Sequence, residues 1–153
     1  MTVARVIFLD FDGVLRPLAA RCDRDGWSAE AVGALNYITD VSGANIVVSS
    51  TWRNDHSFEA IVQLLRSKDV RGEIIGVTPL SHTKYDTRLI VPATTRGNEI
   101  KQWLDANKVG SFVVLDDECT VEPFNDRLVL TDSREGLKRC RAEMALKLFG
   151  CGF

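Results

Sequence analysis

The sequence predicts an α/β fold, in which a mainly parallel five-stranded sheet lies between two layers of helices as an α/β/α sandwich. Two observations predict it. Short apolar segments alternate along the chain with segments of helical period, as is typical of a parallel sheet covered by helices on both faces. The chain has 153 residues, of which 45% are hydrophobic and 26% charged. These values suit one globular domain, which we expect to span residues 1–153.

The first half of the chain predicts three strands and two helices. Residues 3–9 (VARVIFL) are apolar except for Arg5, end in the apolar run VIFL and predict the first strand. Apolar residues at helical spacing predict a helix over residues 28–41, with a serine suited to the N-cap and a glycine just past the end. The further predicted elements are a strand over 46–48, a helix over 55–68 and a strand over 73–77.

The second half predicts two more strands and two more helices. A helix is expected from about Gly97 to Asn107, followed by strands over 112–115 and 128–130. The last helix is predicted over residues 134–149, and Cys140 lies on its apolar stripe, so we expect this cysteine in the core. Residues 16–27 and 78–96 show no regular pattern, and loops of this length in a compact domain are often functional.

Two acidic residues follow the first predicted strand, where a buried carboxylate without partners would be unfavourable. Asp10 and Asp12 are separated by one residue, and Gly13 allows the backbone to turn sharply. Ligands of parallel sheets bind beyond the carboxyl ends of the strands. A polar strand end would explain one aspartate, but two in this position favour a functional site.

A second acidic pair, Asp116 and Asp117, follows the apolar run FVVL and is expected at the same edge of the sheet. Four converging carboxylates would repel one another and raise one another's pKa values. Mg²⁺ resolves this conflict, because it binds carboxylate, water and phosphate oxygens. We therefore predict that Asp10, Asp12, Asp116 and Asp117 form a magnesium site. The alternative is that the second pair only opens a solvated loop.

Phosphate-binding groups are predicted at two further places. Ser49 and Ser50 close the second strand, where hydroxyl and backbone N–H groups can bind a phosphate oxygen. Arg96 lies near the start of the third helix, where its charge would stabilise a transferred phosphoryl group. Lys84 and Arg88, in the preceding loop, are alternative candidates for this cation.

The residues after the two serines carry a weaker signal. Trp52 is expected to pack against the protein rather than to contact substrate. Arg53 has two interpretations, because it either faces the site or pairs with a surface carboxylate.

Composition argues against several other classes of protein. The formal net charge of −2 gives no overall attraction to nucleic acid or to an anionic membrane. No apolar run approaches the roughly 20 residues of a membrane-spanning helix. The four cysteines show no CxxC spacing, so neither a zinc site nor a disulfide framework is expected. We expect a cytoplasmic protein with reduced thiols and no membrane partner.

The motifs together resemble the haloacid dehalogenase (HAD) superfamily. Its four motifs occur here in order, as Asp10 with Asp12, then Ser49, then Arg96, then Asp116 with Asp117. VIFLDFDGVL is the most specific match. The combination of VSSTWR, RGNEIKQWL and VVLDD is most similar to the HAD domains of multifunctional "Swiss Army Knife" RNA-repair proteins, and more loosely to polynucleotide 3′-phosphatases. The resemblance implies a Rossmann-like fold with a minimal cap.

The resemblance also implies an activity, that of a Mg²⁺-dependent phosphatase. Asp10 would attack phosphorus to form an aspartyl-phosphate, while Asp12 would protonate the leaving oxygen and then activate water. Asp10, the Asp12 backbone carbonyl and Asp117 would hold Mg²⁺ with support from Asp116, and Ser49, or alternatively Ser50, would bind the phosphoryl group. The expected substrate is a nucleotide, a phosphorylated nucleic-acid end or a small metabolite.

Two alternatives remain open at this point. A phosphotransferase or a small-metabolite phosphatase of the same superfamily would use the same residues. A non-catalytic receiver-like module would also bind metal and phosphate on an α/β sheet. The phosphorylated aspartate of receivers usually follows the third strand, however, where this chain has Thr78 and Pro79.

Overall fold

The computed structural model describes residues 2–80 and 94–151 and contains a sheet whose strands are all parallel. The five strands lie in the order β3-β2-β1-β4-β5. They are β1 (Thr2–Leu9), β2 (Asn45–Val48), β3 (Ile74–Val77), β4 (Lys108–Asp116) and β5 (Leu128–Leu130). The helices are α1 (Ala29–Ser42), α2 (Phe58–Ser67), α3 (Thr95–Ala106) and α4 (Arg139–Leu148), with short 3-10 helices at Thr51–Asn54 and Asn125–Arg127. The predicted α/β fold is confirmed.

Helices cover the sheet on both faces. Alternate residues of β1 belong to different core clusters, because successive side chains of a strand point to opposite faces. Ile7 and Leu9 pack with α1, α2 and α4, whereas Phe8 packs with Ile100 and Trp103 of α3. Residues 6–9 of this central strand are buried from both sides, which explains why they form a continuous apolar run.

Hydroxyl side chains begin three of the four helices. Ser28 Oγ accepts a hydrogen bond from Ala31 N, and Ser57 and Thr94 cap α2 and α3 in the same way. The cap at Ser57 explains why α2 starts at Phe58 rather than at residue 55, as predicted. α1 ends as predicted at Gly43, which adopts a left-handed conformation.

The last helix begins later than predicted, at Arg139 rather than at residue 134. Residues 132–136 form a turn in which Gly136 N donates to Asp132 O at 2.8 Å, and Gly136 has a φ of 74°. Leu137 is fully buried beside this turn. The prediction was wrong because Leu137 has the apolar spacing of the helix that follows, although its own segment is a turn.

The face that α4 buries also differs from the predicted one. Ala142, Ala145 and Leu146 are the buried residues of α4, whereas Cys140 is exposed. The expectation that Cys140 packs in the core is therefore wrong. The predicted apolar stripe was counted from Leu137. Because Leu137 lies before the first residue of the helix, the stripe fell on the wrong face.

No separate cap domain occurs within residues 2–80 and 94–151. The connection from β1 to α1 begins with a tight loop in which Phe11 O accepts hydrogen bonds from the backbone N–H groups of Val14, Leu15 and Arg16. None of the helices in these two ranges is both long enough and apolar enough to cross a membrane.

Candidate active site

The carboxyl ends of neighbouring strands bring three of the predicted site residues side by side. Asp10 N donates to Leu115 O at 3.1 Å, and Ser49 N donates to Leu9 O at 2.9 Å, so the sheet ladder continues one residue beyond β1 and β2. Asp10, Ser49 and Asp116 are all buried, with exposures of 6%, 0% and 0%. Polar side chains at this depth need partners or a ligand.

Asp10, Asp116 and Asp117 form a compact acidic cluster. One carboxylate oxygen from each residue lies within 4.8 Å of the other two. Gly13 makes room for this cluster, because a Cβ at that position would lie 2.1 Å from Asp117 Oδ2. Three converging oxygen ligands suit a hard divalent cation such as Mg²⁺. The predicted metal site therefore fits the residues that are present.

Burial and mutual repulsion make the charged forms of these carboxylates unfavourable. Burial, together with Asp116, raises the pKa of Asp10 to about 8, although Arg96 opposes the shift. Burial also raises the pKa of Asp116 against the effect of Arg96, and burial with Asp116 raises the pKa of Asp117. A bound cation would reverse these shifts, since it stabilises the charged forms.

Arg96 places a positive charge directly against the cluster. Its Nη1 donates to Asp116 Oδ2 at 2.7 Å and lies 3.5 Å from Asp10 Oδ1. The residue is only 7% exposed and lies in the first turn of α3, whose N-cap is Thr94. Arg96 thus lies beside the acidic cluster, and its role as the phosphate-binding cation stays a prediction. The alternative cations Lys84 and Arg88 lie outside the described residues.

Asp12 stands apart from the acidic cluster. Its carboxylate pairs with the Arg16 guanidinium and accepts a hydrogen bond from Trp52 Nε1 at 3.1 Å. The Arg16 guanidinium in turn lies over the Trp52 ring, 4.7 Å from its centroid. The Asp12 side chain is 55% exposed. Its predicted metal contact would therefore come from the backbone carbonyl, which leaves the carboxylate at the mouth of the site.

Trp52 packs against the core, as expected, and also contacts the site. Its ring lies at 5.8 Å from the rings of both Phe11 and Trp27. The same indole donates its N–H to Asp12. Sequence reasoning missed this contact, because the hydrogen bond joins two distant loops.

The two candidate serines differ in their contacts. Both are fully buried. Ser50 Oγ accepts a hydrogen bond from Trp52 N at 3.2 Å and caps the 3-10 helix. Ser49 Oγ has no hydrogen-bond partner within residues 2–80 and 94–151. The arrangement favours Ser49 as the phosphate-binding hydroxyl.

Arg53 is a structural part of the site that the sequence did not resolve. Its Nη2 forms a 2.7 Å ion pair with Glu99 Oε2, and the two side chains are 3% and 7% exposed. Arg53 Nη1 donates to Ser49 O at 2.8 Å and to Ser50 O at 2.7 Å. The partner is a buried carboxylate rather than a surface one. Glu99 was also missed, and its spacing of three residues from Arg96 on one helix was the available signal.

Two cavities flank the acidic cluster. One of about 390 Å³ is lined by Arg96, Arg53 and Leu80, among others. The other, of about 350 Å³, is lined by Asp12, Asp117 and neighbouring residues. A phosphoryl group at the cluster would therefore have space on both sides for the rest of its substrate.

One family model matches the chain over residues 6–142, and it describes the HAD domain in Swiss Army Knife RNA repair proteins. The matched range includes all of the strands except the first residues of β1, and every predicted site residue. No curated protein matches the sequence.

Proposed function

The chain belongs to the family of HAD domains found in Swiss Army Knife RNA repair proteins, and from this premise we propose that it is a Mg²⁺-dependent phosphatase working through Asp10. The observation that carries the proposal is the buried cluster of Asp10, Asp116 and Asp117. Arg96 lies against this cluster, and the neighbouring strand is followed by Ser49, whose buried hydroxyl has no hydrogen-bond partner among the described residues. The family suggests hydrolase chemistry, and the covalent step and the metal are our inference.

Asp10 is oriented as a nucleophile. Its Oδ1 accepts a hydrogen bond from Phe11 N at 2.9 Å and lies beside Arg96. The other oxygen, Oδ2, attacks phosphorus, and the bond between phosphorus and the leaving oxygen breaks with its electron pair on that oxygen. The product of this step is an aspartyl-phosphate on Asp10.

Asp12 acts as the general acid in the first half-reaction and as the general base in the second. In its protonated form it gives a proton to the leaving oxygen in the first step, and the resulting carboxylate takes a proton from the attacking water in the second. The Asp12 side chain is 55% exposed, so both a leaving group and water can reach its carboxylate. Hydrolysis then releases inorganic phosphate and restores the Asp10 carboxylate.

The remaining residues bind the phosphoryl group and the metal. Ser49 and Arg96 donate hydrogen bonds to phosphoryl oxygens. Asp10, Asp117 and the Asp12 backbone carbonyl would hold Mg²⁺, with Asp116 in support. When bound, Mg²⁺ offsets the repulsion between the carboxylates and the phosphate.

Hydrolysis is favoured over phosphoryl transfer to another acceptor. The Asp12 side chain is 55% exposed, and the described residues contain no cap domain to exclude water. An open site gives water access to the aspartyl-phosphate.

We propose a phosphorylated nucleic-acid end or a nucleotide as the substrate. The family is named for RNA repair proteins, and a site without a cap can receive the end of a long molecule. The net charge of −2 provides no general attraction to a polyphosphate backbone. Recognition would therefore depend on the terminal phosphate and the nucleotides beside it.

The mechanism is tested by hydrolysis of an aryl phosphate with Mg²⁺, with and without EDTA. We expect EDTA to abolish turnover and Asp10→Asn to lower it by roughly 10³-fold or more, because the nucleophile is lost. Asp105→Asn, which changes an exposed aspartate paired with Lys101, is the matched control and retains full activity. Near-wild-type turnover of Asp10→Asn would show that the covalent mechanism is wrong.

The substrate is tested with a panel of phosphorylated oligoribonucleotides, nucleotides and small metabolites. We expect the highest kcat/KM for an oligonucleotide that carries a terminal phosphate. A preference of tenfold or more for a sugar phosphate over every oligonucleotide would reject this substrate class while leaving the mechanism intact.

A further inference from the structure

Two buried hydroxyl groups at the carboxyl edge of the sheet lack a hydrogen-bond partner within the described ranges, those of Ser49 and Thr78. Their residues are 0% and 1% exposed. A buried polar group without a partner is unfavourable by about 1–3 kcal/mol, and native proteins contain few of them. In the proposed mechanism the Ser49 hydroxyl binds the phosphoryl group, whereas the Thr78 hydroxyl has no role.

The sheet register places Thr78 next to Ser49 and Ser49 next to the nucleophile. Val77 pairs with Val48, and Val48 pairs with Leu9. Thr78 N donates to Val48 O at 3.0 Å, just as Ser49 N donates to Leu9 O, so the register extends by one residue. Thr78, Ser49 and Asp10 thus form one row across β3, β2 and β1. Residues in a row point to the same face, with strands about 4.8 Å apart.

A single buried guanidinium fixes the backbone of this row. Arg53 Nε donates to Thr78 O at 2.9 Å, and Arg53 Nη1 donates to Ser49 O at 2.8 Å. The third nitrogen, Nη2, is held by Glu99 on α3. Because the guanidinium is planar and rigid, it fixes the separation of the two strand ends. The two hydroxyl groups are therefore held as neighbours.

We propose that Thr78 is a positioning residue for phosphoryl binding. Without a ligand the two hydroxyl groups form no hydrogen bond with each other. In the phosphate-bound state, Ser49 Oγ–H donates to a phosphoryl oxygen and Thr78 Oγ1–H turns to donate to Ser49 Oγ. This inference rests on the proposed function, because it requires Ser49 to bind the phosphoryl group. A hydroxyl that accepts one hydrogen bond becomes a stronger donor in the next, so the chain of two bonds strengthens the contact with phosphate. Ligand binding then satisfies both buried hydroxyl groups.

The first test replaces the hydroxyl of Thr78 with a methyl group. We expect Thr78→Val to weaken the binding of orthovanadate in the presence of Mg²⁺ by about 3- to 10-fold, the effect of one hydrogen bond. Titration calorimetry measures this affinity without turnover. The melting temperature of the free protein stays the same or rises, because the buried hydroxyl that is removed has no partner within the described ranges. Thr78→Ser retains the hydroxyl and binds orthovanadate as the wild type does.

Thr39→Val is the matched control. Thr39 is also a buried threonine, but it lies in α1, and its Oγ1 donates to Asn36 O. Its replacement leaves the affinity for orthovanadate unchanged. If Thr78→Val instead lowered the melting temperature and left the affinity unchanged, Thr78 would have a structural role only, and the proposal would be overturned.

A double-mutant cycle with Ser49→Ala separates this inference from the proposed function. Thr78→Val has no further effect on affinity in the Ser49→Ala background if it acts through Ser49. Additive losses would show that Thr78 acts independently and would overturn the proposal. An unchanged affinity for Ser49→Ala alone would reject the proposed phosphate site itself, which is a different failure.

Discussion

At the scale of single residues, Gly13 controls the geometry of the acidic cluster. It has a φ of 80°, and a Cβ there would collide with the Asp117 carboxylate. We expect Gly13→Ala to displace Asp117 and to abolish Mg²⁺ binding, measured by titration calorimetry. The strained backbone conformation of any L residue at this φ adds to the effect.

Gly33→Ala is the control for this substitution. Gly33 lies within α1, and a Cβ there would meet nothing within 4 Å. Because alanine stabilises a helix by about 0.5–1 kcal/mol relative to glycine, this variant unfolds at a higher denaturant concentration and binds Mg²⁺ normally. Normal Mg²⁺ binding by Gly13→Ala would contradict the proposed ligand geometry.

Asp10 also makes the stability of the metal-free protein depend on pH. Its pKa in the folded protein is raised to about 8 from a value of 3.8. The folded state therefore binds the proton more tightly than the unfolded state, and the free energy of unfolding falls as the pH rises from about 4 to about 8. Urea denaturation in EDTA across this range measures the decrease. Asp10→Asn has a smaller decrease, and an equal one would show that Asp10 is not responsible.

At the scale of elements, the Arg53–Glu99 pair joins the 3-10 helix after β2 to α3. Removing one partner leaves a buried charge without compensation, so we expect Glu99→Gln to lower the free energy of unfolding by about 3–5 kcal/mol. Asp105→Asn breaks the exposed Lys101–Asp105 pair of the same helix and lowers it by less than about 0.5 kcal/mol. Urea denaturation compares the two variants. An equal decrease in the free energy of unfolding for the two variants would mean that the buried pair does not stabilise the packing of α3.

The order of the elements could be predicted from the sequence because each element carries a local signal. Strand β1 ends in the apolar run VIFL, directly before Asp10, and α1 lies between a serine cap and a glycine. The late start of α4 could not be predicted, because Leu137 is buried by a turn that packs on a distant loop. Its backbone N–H donates to Val14 O at 2.8 Å.

Only those residues of the candidate site that lie at the ends of strands could be predicted from the sequence. Asp10, Ser49 and Asp116 were expected at one edge, and the structure brings them together there. The contacts of Arg53 with Glu99 and of Asp12 with Trp52 depend on how separate loops and helices meet. The proximity of Thr78 to Ser49 depends on the strand order, which local patterns do not specify.

At the scale of the whole molecule, two core clusters share one sheet. The cluster under α1, α2 and α4 and the cluster under α3 use alternate residues of the same strands. If the strands under one cluster unfolded, the apolar side chains of the other cluster would also be exposed to water. We therefore expect one cooperative unfolding transition, with coincident curves from far-UV circular dichroism and tryptophan fluorescence. Separate midpoints would show that the chain contains two units rather than one domain.

The central position of β1 has a consequence during synthesis on the ribosome. β1 pairs with β2 on one side and with β4 on the other, and β4 is translated long after β1. Until β4 emerges, one edge of an apolar strand has no neighbour, and such edges promote aggregation of nascent chains. The acidic cluster likewise cannot form until Asp116 and Asp117 have been translated. A chain that stalls before β4 is therefore prone to aggregation and lacks two of the three carboxylates of the acidic cluster.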